Sequence, residues 1–148
     1  MTATAPSQTP PPPTDDGPRC VVLLDDEKAY LELIGESLRG SLSCPVVGFT
    51  NPQRCLDTLP CLRVGMIITD FQMPGLNGVE FIEKAQRIYP EVPILMITAY
   101  ANDIAQQQLA KLPALKGIVK KPFRWPQLAE HIAKHWPSTT TAPFASGT

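Results

Sequence analysis

Five polar residues with chemically useful side chains stand at the ends of short apolar runs in this sequence. They are the acidic pair Asp25 and Asp26, then Asp70, Thr98 and Lys121. Parallel strands of an open α/β sheet present their carboxyl ends along one edge, where ligands bind. If the apolar runs are such strands, three carboxylates, one hydroxyl and one ammonium group converge at that edge.

Three neighbouring carboxylates repel one another, and a bound cation removes that conflict. Mg²⁺ prefers oxygen ligands and keeps some of its water, so Asp26 and Asp70 suit it as ligands while Asp25 holds a bound water. A carboxylate in such a place can attack a phosphoryl group and form an acyl phosphate, and Asp70 is the candidate nucleophile. Lys121 and Thr98 can supply a cation and a hydroxyl donor to the phosphoryl oxygens.

Each of these residues also has an ordinary structural explanation. Asp25 and Asp26 are favoured at the start of a helix, and Asp70 could serve in a turn. Thr98 could be a strand-end hydroxyl, and Lys121 a solvated surface lysine. Taken singly, these explanations are the better ones. The occurrence of all the residues at strand ends, in this order, favours a common site.

The ordered motifs Asp-Asp, Asp-x-x-Met-Pro-Gly, Thr-Ala and Lys-Pro-Phe closely resemble the receiver domain of two-component response regulators. The resemblance covers residues 19–136, with the strands and helices in sequence, and is far more specific than one short motif. It implies an α/β fold of the flavodoxin-like type: a doubly wound, five-stranded parallel sheet with strand order 2-1-3-4-5 and helices on both faces. Residues 1–18, rich in proline, are expected to form a disordered arm, and residues 137–148 a disordered tail.

The resemblance implies that Asp70 accepts a phosphoryl group from a sensor histidine kinase or a phosphotransfer protein. Asp25, Asp26, Asp70 and the backbone carbonyl of Gln72 would hold Mg²⁺, with Thr98 and Lys121 completing the site. We expect a domain that promotes its own phosphorylation and dephosphorylation rather than a conventional enzyme. Its output would pass through contacts with an unknown downstream protein, and homodimerisation stays open.

The resemblance also implies a cis peptide bond between Lys121 and Pro122, which proline permits. The sequence departs from the family three residues before Lys121, where relatives often carry an aromatic residue that moves inward with the threonine hydroxyl. This chain has Ile118 there. Tyr100, two residues after Thr98, is an open alternative for that role.

Three other functions are compatible with parts of this pattern. The first is an adaptor that uses the same fold without phosphorylation, although a scaffold has no need of three clashing carboxylates. The second is a phosphate sink, in which the signal ends at this domain. The third is a phosphatase of the haloacid dehalogenase type, which requires an acid two residues after its nucleophile, where this chain has Gln72.

The composition narrows the possible partners and locations. Residues 19–136 hold thirteen basic and twelve acidic residues, so no basic excess indicates direct nucleic-acid binding. The apolar runs are too short to insert in a membrane, and no signal segment is present, which predicts a cytoplasmic protein.

The four cysteines lack zinc spacing and are expected to be small apolar residues. His131 and His135 lie one helical turn apart, but no third metal ligand is near them in sequence.

Helical spacing predicts an amphipathic first helix over Glu27–Arg39, with Tyr30, Leu33, Ile34 and Leu38 on its apolar face and Gly40 at its end. Pro45 predicts an edge position for the second strand. The other predicted helices follow Asn51-Pro52, begin after Asn77, span residues 103–110 and open at Trp125-Pro126. The segment at 103–110 is rich in glutamine and is followed by Pro113.

Overall fold

The computed structural model describes residues 19–42, 44–99 and 104–136. Strands and helices alternate along the chain, with a 3-10 turn at Leu59–Cys61. The strands are β1 (Cys20–Leu24), β2 (Val46–Phe49), β3 (Val64–Asp70), β4 (Ile94–Thr98) and β5 (Leu115–Lys120). The helices are α1 (Lys28–Ser41), α2 (Pro52–Thr58), α3 (Gly78–Ile88), α4 (Gln106–Leu109) and α5 (Trp125–His135). The predicted arm at 1–18, the predicted tail at 137–148 and Tyr100 lie outside the described residues.

The five strands form one parallel sheet in the order β2-β1-β3-β4-β5, which confirms the predicted fold. Strands β1 and β4 are buried along their whole length, and β3 is buried as far as Thr69. Burial on both faces explains why their sequences are continuous apolar runs rather than alternating ones. The chain turns to opposite sides of β1 to form β2 and β3, so the crevice at their carboxyl ends is the topological switch point where such sheets bind ligands.

Two apolar layers cover the sheet. One packs α2 and α3 against it, and the other packs α1 and α5 against the opposite face. Phe81 of α3 and Ile132 of α5 are fully buried at the centres of these layers. Removing a buried phenylalanine side chain of this kind costs about 3–5 kcal/mol of stability, so these layers stabilise the sheet that carries the site.

Two helix starts form as the sequence predicts. The Asn51 side chain accepts a hydrogen bond from the Arg54 amide at 2.9 Å at the start of α2. Asn77 accepts from the Glu80 amide at 3.0 Å, and the Glu80 carboxylate accepts from the Asn77 amide at 3.3 Å. This reciprocal capping box satisfies amides that the first helical turn leaves unpaired.

Several local predictions are wrong. Leu33 is 61% exposed rather than part of the apolar face, because α1 buries Ile34 and Leu38 and neighbouring residues on a helix lie about 100° apart. Helix α1 also continues past Gly40 to Ser41. Helix α4 is one turn, shorter than predicted. The cysteines are all free thiols; Cys20 and Cys55 are buried as expected, but Cys61 is exposed.

Candidate functional site

The predicted site residues meet at the carboxyl edge of the sheet. Asp25 directly follows β1, Asp70 is the last residue of β3, Thr98 ends β4, and Lys121 directly follows β5. Ligand oxygens of Asp25, Asp26 and Asp70 all lie within 4.8 Å of one another. The parallel register of the strands therefore brings together residues that are up to 96 positions apart in sequence.

The Lys121 ammonium lies between two of these carboxylates. Its Nζ is 3.5 Å from Asp25 Oδ2 and 3.6 Å from Asp70 Oδ1. The side chain of Lys121 is only 15% exposed, and those of Asp25 and Asp70 are more buried still. Charges are weakly screened in such a place. Because Asp26 adds a third carboxylate to the cluster, the site has a negative excess whenever all three acids are ionised.

Asp25 is held by its neighbours through both carboxylate oxygens. Oδ1 accepts a hydrogen bond from the Glu27 amide at 2.9 Å, and Oδ2 faces Lys121. Burial raises the pKa of Asp25 above its ordinary value, and the Glu27 amide and Lys121 partly oppose that rise. A carboxylate engaged in this way is suited to a supporting role beside a more accessible ligand.

Asp70 combines partial burial with nearby charges of both signs. Its Oδ1 accepts a hydrogen bond from the Phe71 amide at 2.8 Å. Burial raises the pKa of Asp70; Lys121 lowers it, Asp25 raises it further, and the Phe71 amide lowers it. A carboxylate that stays partly accessible next to an ammonium is chemically suited to attack an electrophilic phosphorus.

Thr98 and Lys121 are joined through the backbone. Thr98 is fully buried, and its carbonyl oxygen accepts a hydrogen bond from the Lys121 amide at 2.8 Å. The Lys121–Pro122 peptide bond is cis, which confirms the expectation from the Lys-Pro-Phe motif.

The loop between β3 and α3 folds back tightly beside Asp70. The Gly78 amide donates a 2.6 Å hydrogen bond to the Phe71 carbonyl, and Gly75 adopts a positive φ of 83°. A Cβ atom at Gly78 would lie 2.7 Å from the Asp70 carbonyl oxygen, so glycine alone permits this approach.

An open cleft of about 480 Å³ lies beside the three acids. Its lining comes from one acid and the β3–α3 loop: Asp26, Phe71, Gln72, Met73, Pro74 and Asn77. Gln72 is exposed and stands on the same cleft as Asp26. Its role as a backbone ligand stays a prediction.

Two aromatic residues at the site were given no chemical role from the sequence. The Tyr30 ring stacks on the Lys121 ammonium, with Nζ 4.1 Å from the ring centroid. Phe123 contacts Tyr30 edge to face, with centroids 6.4 Å apart and planes at 74°. The available signal was the position of Tyr30 in the first turn of a helix that follows an acidic pair.

Other candidate residues form no comparable site among the described residues. His131 and His135 stack with centroids 6.2 Å apart, and the potential metal group of three side chains found in the described ranges consists of the acids alone. Ile118 is partly buried and packs against the layer that contains α2 and α3. No helix within the described part of the chain is long and apolar enough to cross a membrane.

A family model and similar proteins of known sequence agree on the family to which this chain belongs. The family model for the response regulator receiver domain matches residues 21–133. The chemotaxis protein CheY of Pseudomonas aeruginosa is 30% identical over 122 residues, which cover 77% of this chain and 93% of that protein. The transcriptional regulatory protein FixJ of Bradyrhizobium diazoefficiens is 30% identical over 112 residues, covering 76% of this chain and 54% of the relative.

Solved structures share the fold. CheY4 of Vibrio cholerae superposes with a TM-score of 0.68 at 22% identity, covering 80% of this chain and 99% of that one. TrrA of Thermotoga maritima, solved in complex with Mg²⁺ and BeF, superposes with a TM-score of 0.69 at 23% identity. The match covers 78% of this chain and 97% of that one. Among curated relatives, the match spans only 26% of a protein-glutamate methylesterase/protein-glutamine glutaminase of Treponema pallidum, which is 28% identical over 70% of this chain.

Proposed function

The chain belongs to the response regulator receiver family of two-component signalling, and from this premise we propose that it accepts a phosphoryl group reversibly on Asp70. The donor is a phosphohistidine of a sensor histidine kinase or phosphotransfer protein, and the exchange takes place in the cytoplasm. The phosphorylated domain then acts through contacts with a downstream protein. The domain promotes its own phosphorylation and dephosphorylation rather than turning over a separate substrate.

One observation carries this proposal: the partly buried Lys121 ammonium lies 3.5 Å and 3.6 Å from the carboxylates of Asp25 and Asp70. A structural salt bridge needs one acid, whereas two acids with Asp26 beside them leave an electrostatic conflict. Such an arrangement is costly for folding and useful for binding a cation and a phosphoryl group. Repulsion of this kind, kept in a folded protein, indicates that the residues have a functional role and not a purely structural one.

The phosphoryl group moves from an imidazole nitrogen of the donor to a carboxylate oxygen. A carboxylate oxygen of Asp70 forms a bond to phosphorus, and the P–N bond to the donor imidazole breaks. The imidazole keeps the electron pair of that bond and takes up a proton, and Asp70 becomes an acyl phosphate. Lys121 offsets charge on the phosphoryl oxygens, and Thr98 offers a hydroxyl donor. Attack by water on the acyl phosphate regenerates the Asp70 carboxylate and releases inorganic phosphate.

The donor set fits Mg²⁺. Three carboxylates with ligand oxygens within 4.8 Å of one another give a hard, negatively charged oxygen site, which Mg²⁺ prefers. Asp26 and Asp70 would hold the ion, Asp25 would orient its water, and the Gln72 carbonyl would add a ligand. When bound, the ion neutralises charge on the acids and on the phosphoryl oxygens. The Mg²⁺–BeF complex of the related TrrA supports this assignment by analogy.

The test is to mix the chain with Mg²⁺ and phosphoramidate, whose P–N bond resembles that of phosphohistidine, and to measure the intact mass. We expect the mass of one phosphoryl group, removable with hydroxylamine as an acyl phosphate is. Chelation and Asp70→Asn should both abolish the gain. Asp57→Asn is the matched control, because Asp57 is an exposed acid on α2 whose carboxylate accepts a hydrogen bond from the Gln53 side-chain amide.

Each alternative predicts a different outcome. An adaptor would gain no mass, and a phosphatase, given a phosphomonoester in place of phosphoramidate, would release inorganic phosphate over many turnovers. Labelling of Asp70→Asn at the wild-type level would overturn the choice of nucleophile. A phosphate sink would label normally, and would differ by forming no phosphorylation-dependent complex with a downstream protein.

A further inference from the structure

The Lys121 ammonium has a third neighbour besides the two carboxylates, the aromatic face of Tyr30. We propose that Tyr30 is a positioning residue for phosphoryl transfer: its ring holds the Lys121 ammonium in the pocket, facing Asp25 and Asp70. This inference rests on the proposed function of Asp70 and adds a residue that acts through Lys121.

The contact has the geometry of a strong cation–π interaction. The 4.1 Å separation between Nζ and the ring centroid is well inside the range of about 6 Å over which an aromatic face attracts a cation. Such contacts strengthen when they are removed from water, and the Lys121 side chain is 15% exposed. The ring therefore covers a side of the ammonium that water would otherwise reach.

The ring is itself held in place. Phe123 meets Tyr30 edge to face, an arrangement that aromatic pairs favour. Both rings are partly buried and pack against the apolar layer of α1 and α5. Phe123 lies two residues after Lys121, so the turn that carries the ammonium also carries the ring that supports Tyr30. The start of α1 and the turn after β5 are thereby tied together across the site.

A lysine side chain needs such support more than most. Its stem has four rotatable bonds, and its ammonium is strongly hydrated, so two acids alone leave it free to swing into water. The aromatic face attracts a cation without the directional demand of a hydrogen bond. The ammonium can therefore shift toward phosphoryl oxygens when Asp70 is modified and keep the same neighbour.

The first test compares the rates at which variants gain the phosphoryl group from phosphoramidate at saturating Mg²⁺. Tyr30→Leu should slow the reaction by about three- to thirtyfold. This is the change in rate expected if the free energy of a cation–π contact is lost from the transition state. Tyr30→Phe should stay within about twofold of the wild type, because the ring face remains. Tyr30→Met, whose flexible unbranched side chain adapts to irregular apolar space and has no ring, replaces Tyr30→Leu if that variant folds poorly.

The second test asks whether Tyr30 acts through Lys121. In a Lys121→Ala background the ammonium is gone, so Tyr30→Leu should cause no further loss in phosphorylation rate. An equal loss in both backgrounds would mean that Tyr30 merely supports the fold, and would overturn the proposal. A rate for Tyr30→Phe as low as that of Tyr30→Leu would assign the effect to the hydroxyl and would also overturn it.

The control is Leu33→Ala, which changes an exposed side chain on the same helix and should leave the rate unaltered. The two proposals fail in different ways. If the wild-type chain gains no phosphoryl group, the function assigned to Asp70 is wrong. If the wild type is labelled and Tyr30→Leu is labelled at the same rate, only the role of Tyr30 is wrong.

Discussion

The backbone amide of Lys121 donates a 2.8 Å hydrogen bond to the carbonyl oxygen of Thr98. Thr98 is the last residue of β4, and it pairs in register with Lys120, the last residue of β5. The bond extends the ladder by one residue, so the hydroxyl-bearing and ammonium-bearing residues are set on one rigid frame. If a phosphoryl group contacts both side chains, we expect it to act on the ends of β4 and β5 together.

The first prediction concerns the clustered acids. Asp70→Asn should stabilise the chelated protein at neutral pH by about 1 kcal/mol, because carboxylates about 5 Å apart repel even with strong screening. Urea unfolding with and without Mg²⁺ measures the change. Asp57→Asn, at an exposed acid outside the cluster, should leave stability unaltered. An Asp70→Asn protein no more stable than the wild type under chelation would contradict the clustered-acid model.

The pH dependence of that gain follows from burial. Burial raises the pKa of Asp70 above the ordinary 3.8, so between the two values the folded state binds more protons than the unfolded state. Wild-type stability therefore falls as the pH rises from 3.8 through the folded-state pKa. The advantage of Asp70→Asn should vanish below pH 3.8 and grow above it. An advantage that is constant across this range would rule out titration of Asp70 as its source.

The second prediction concerns the loss of the ammonium. Lys121→Met should destabilise the chelated protein at neutral pH by about 2 kcal/mol, because it leaves buried carboxylates without their cation. The double variant Lys121→Met/Asp70→Asn should recover part of that loss, since it removes one of the repelling charges. Melting temperatures of the four proteins form a double-mutant cycle. Strictly additive effects would mean that Lys121 and Asp70 do not interact.

The third prediction concerns the loop after β3. Gly78→Ala should destabilise the fold by about 1–3 kcal/mol and slow phosphorylation, because the new Cβ would lie 2.7 Å from the Asp70 carbonyl oxygen. Gly40→Ala is the matched control. A Cβ there meets nothing within 4 Å, so alanine should stabilise α1 by about 1 kcal/mol. Equal effects of the two substitutions on stability would show that contact with Asp70 does not matter.

The placement of the site was predictable because parallel strands have only one carboxyl edge. Once Asp25, Asp70, Thr98 and Lys121 are recognised as strand ends, their convergence follows from topology alone. The capping of α3 by Asn77 was predictable for a similar reason, since it depends on residues three positions apart.

The features that the sequence did not predict depend on the directions in which side chains point in the folded protein. Tyr30 and Leu33 both belong to an apolar pattern, yet one covers an ammonium and the other points to solvent. Helical periodicity gives the angles between side chains around the helix axis. It does not say which of those side chains face the core. The contact of Phe123 with Tyr30 joins α1 to the turn after β5. These two residues are far apart in sequence, so the spacing of residues along the chain does not predict that their rings meet.

The fourth prediction concerns the route by which phosphorylation reaches a partner. We expect the face formed by α4, β5 and α5 to carry the signal, with Ile118 as a weaker switch than an aromatic residue. Ile118 pairs with Met96 on β4 and packs against the layer that includes Ile104 and Leu112. Helix α4 has a single turn, and we expect so short a helix to have little stability of its own and to be remodelled easily.

Hydrogen exchange measures this route directly. Beryllofluoride with Mg²⁺ should change amide protection around Thr98 and across residues 104–120, because a ligand shifts a protein only toward the state it binds better. Thr98→Val should still bind beryllofluoride but lose the change at 104–120, whereas Thr98→Ser, which keeps the hydroxyl, should retain it. If protection changes only around Asp25, Asp26 and Asp70 in the wild type, the signal leaves by another face. If Thr98→Val responds like the wild type, the hydroxyl does not transmit it.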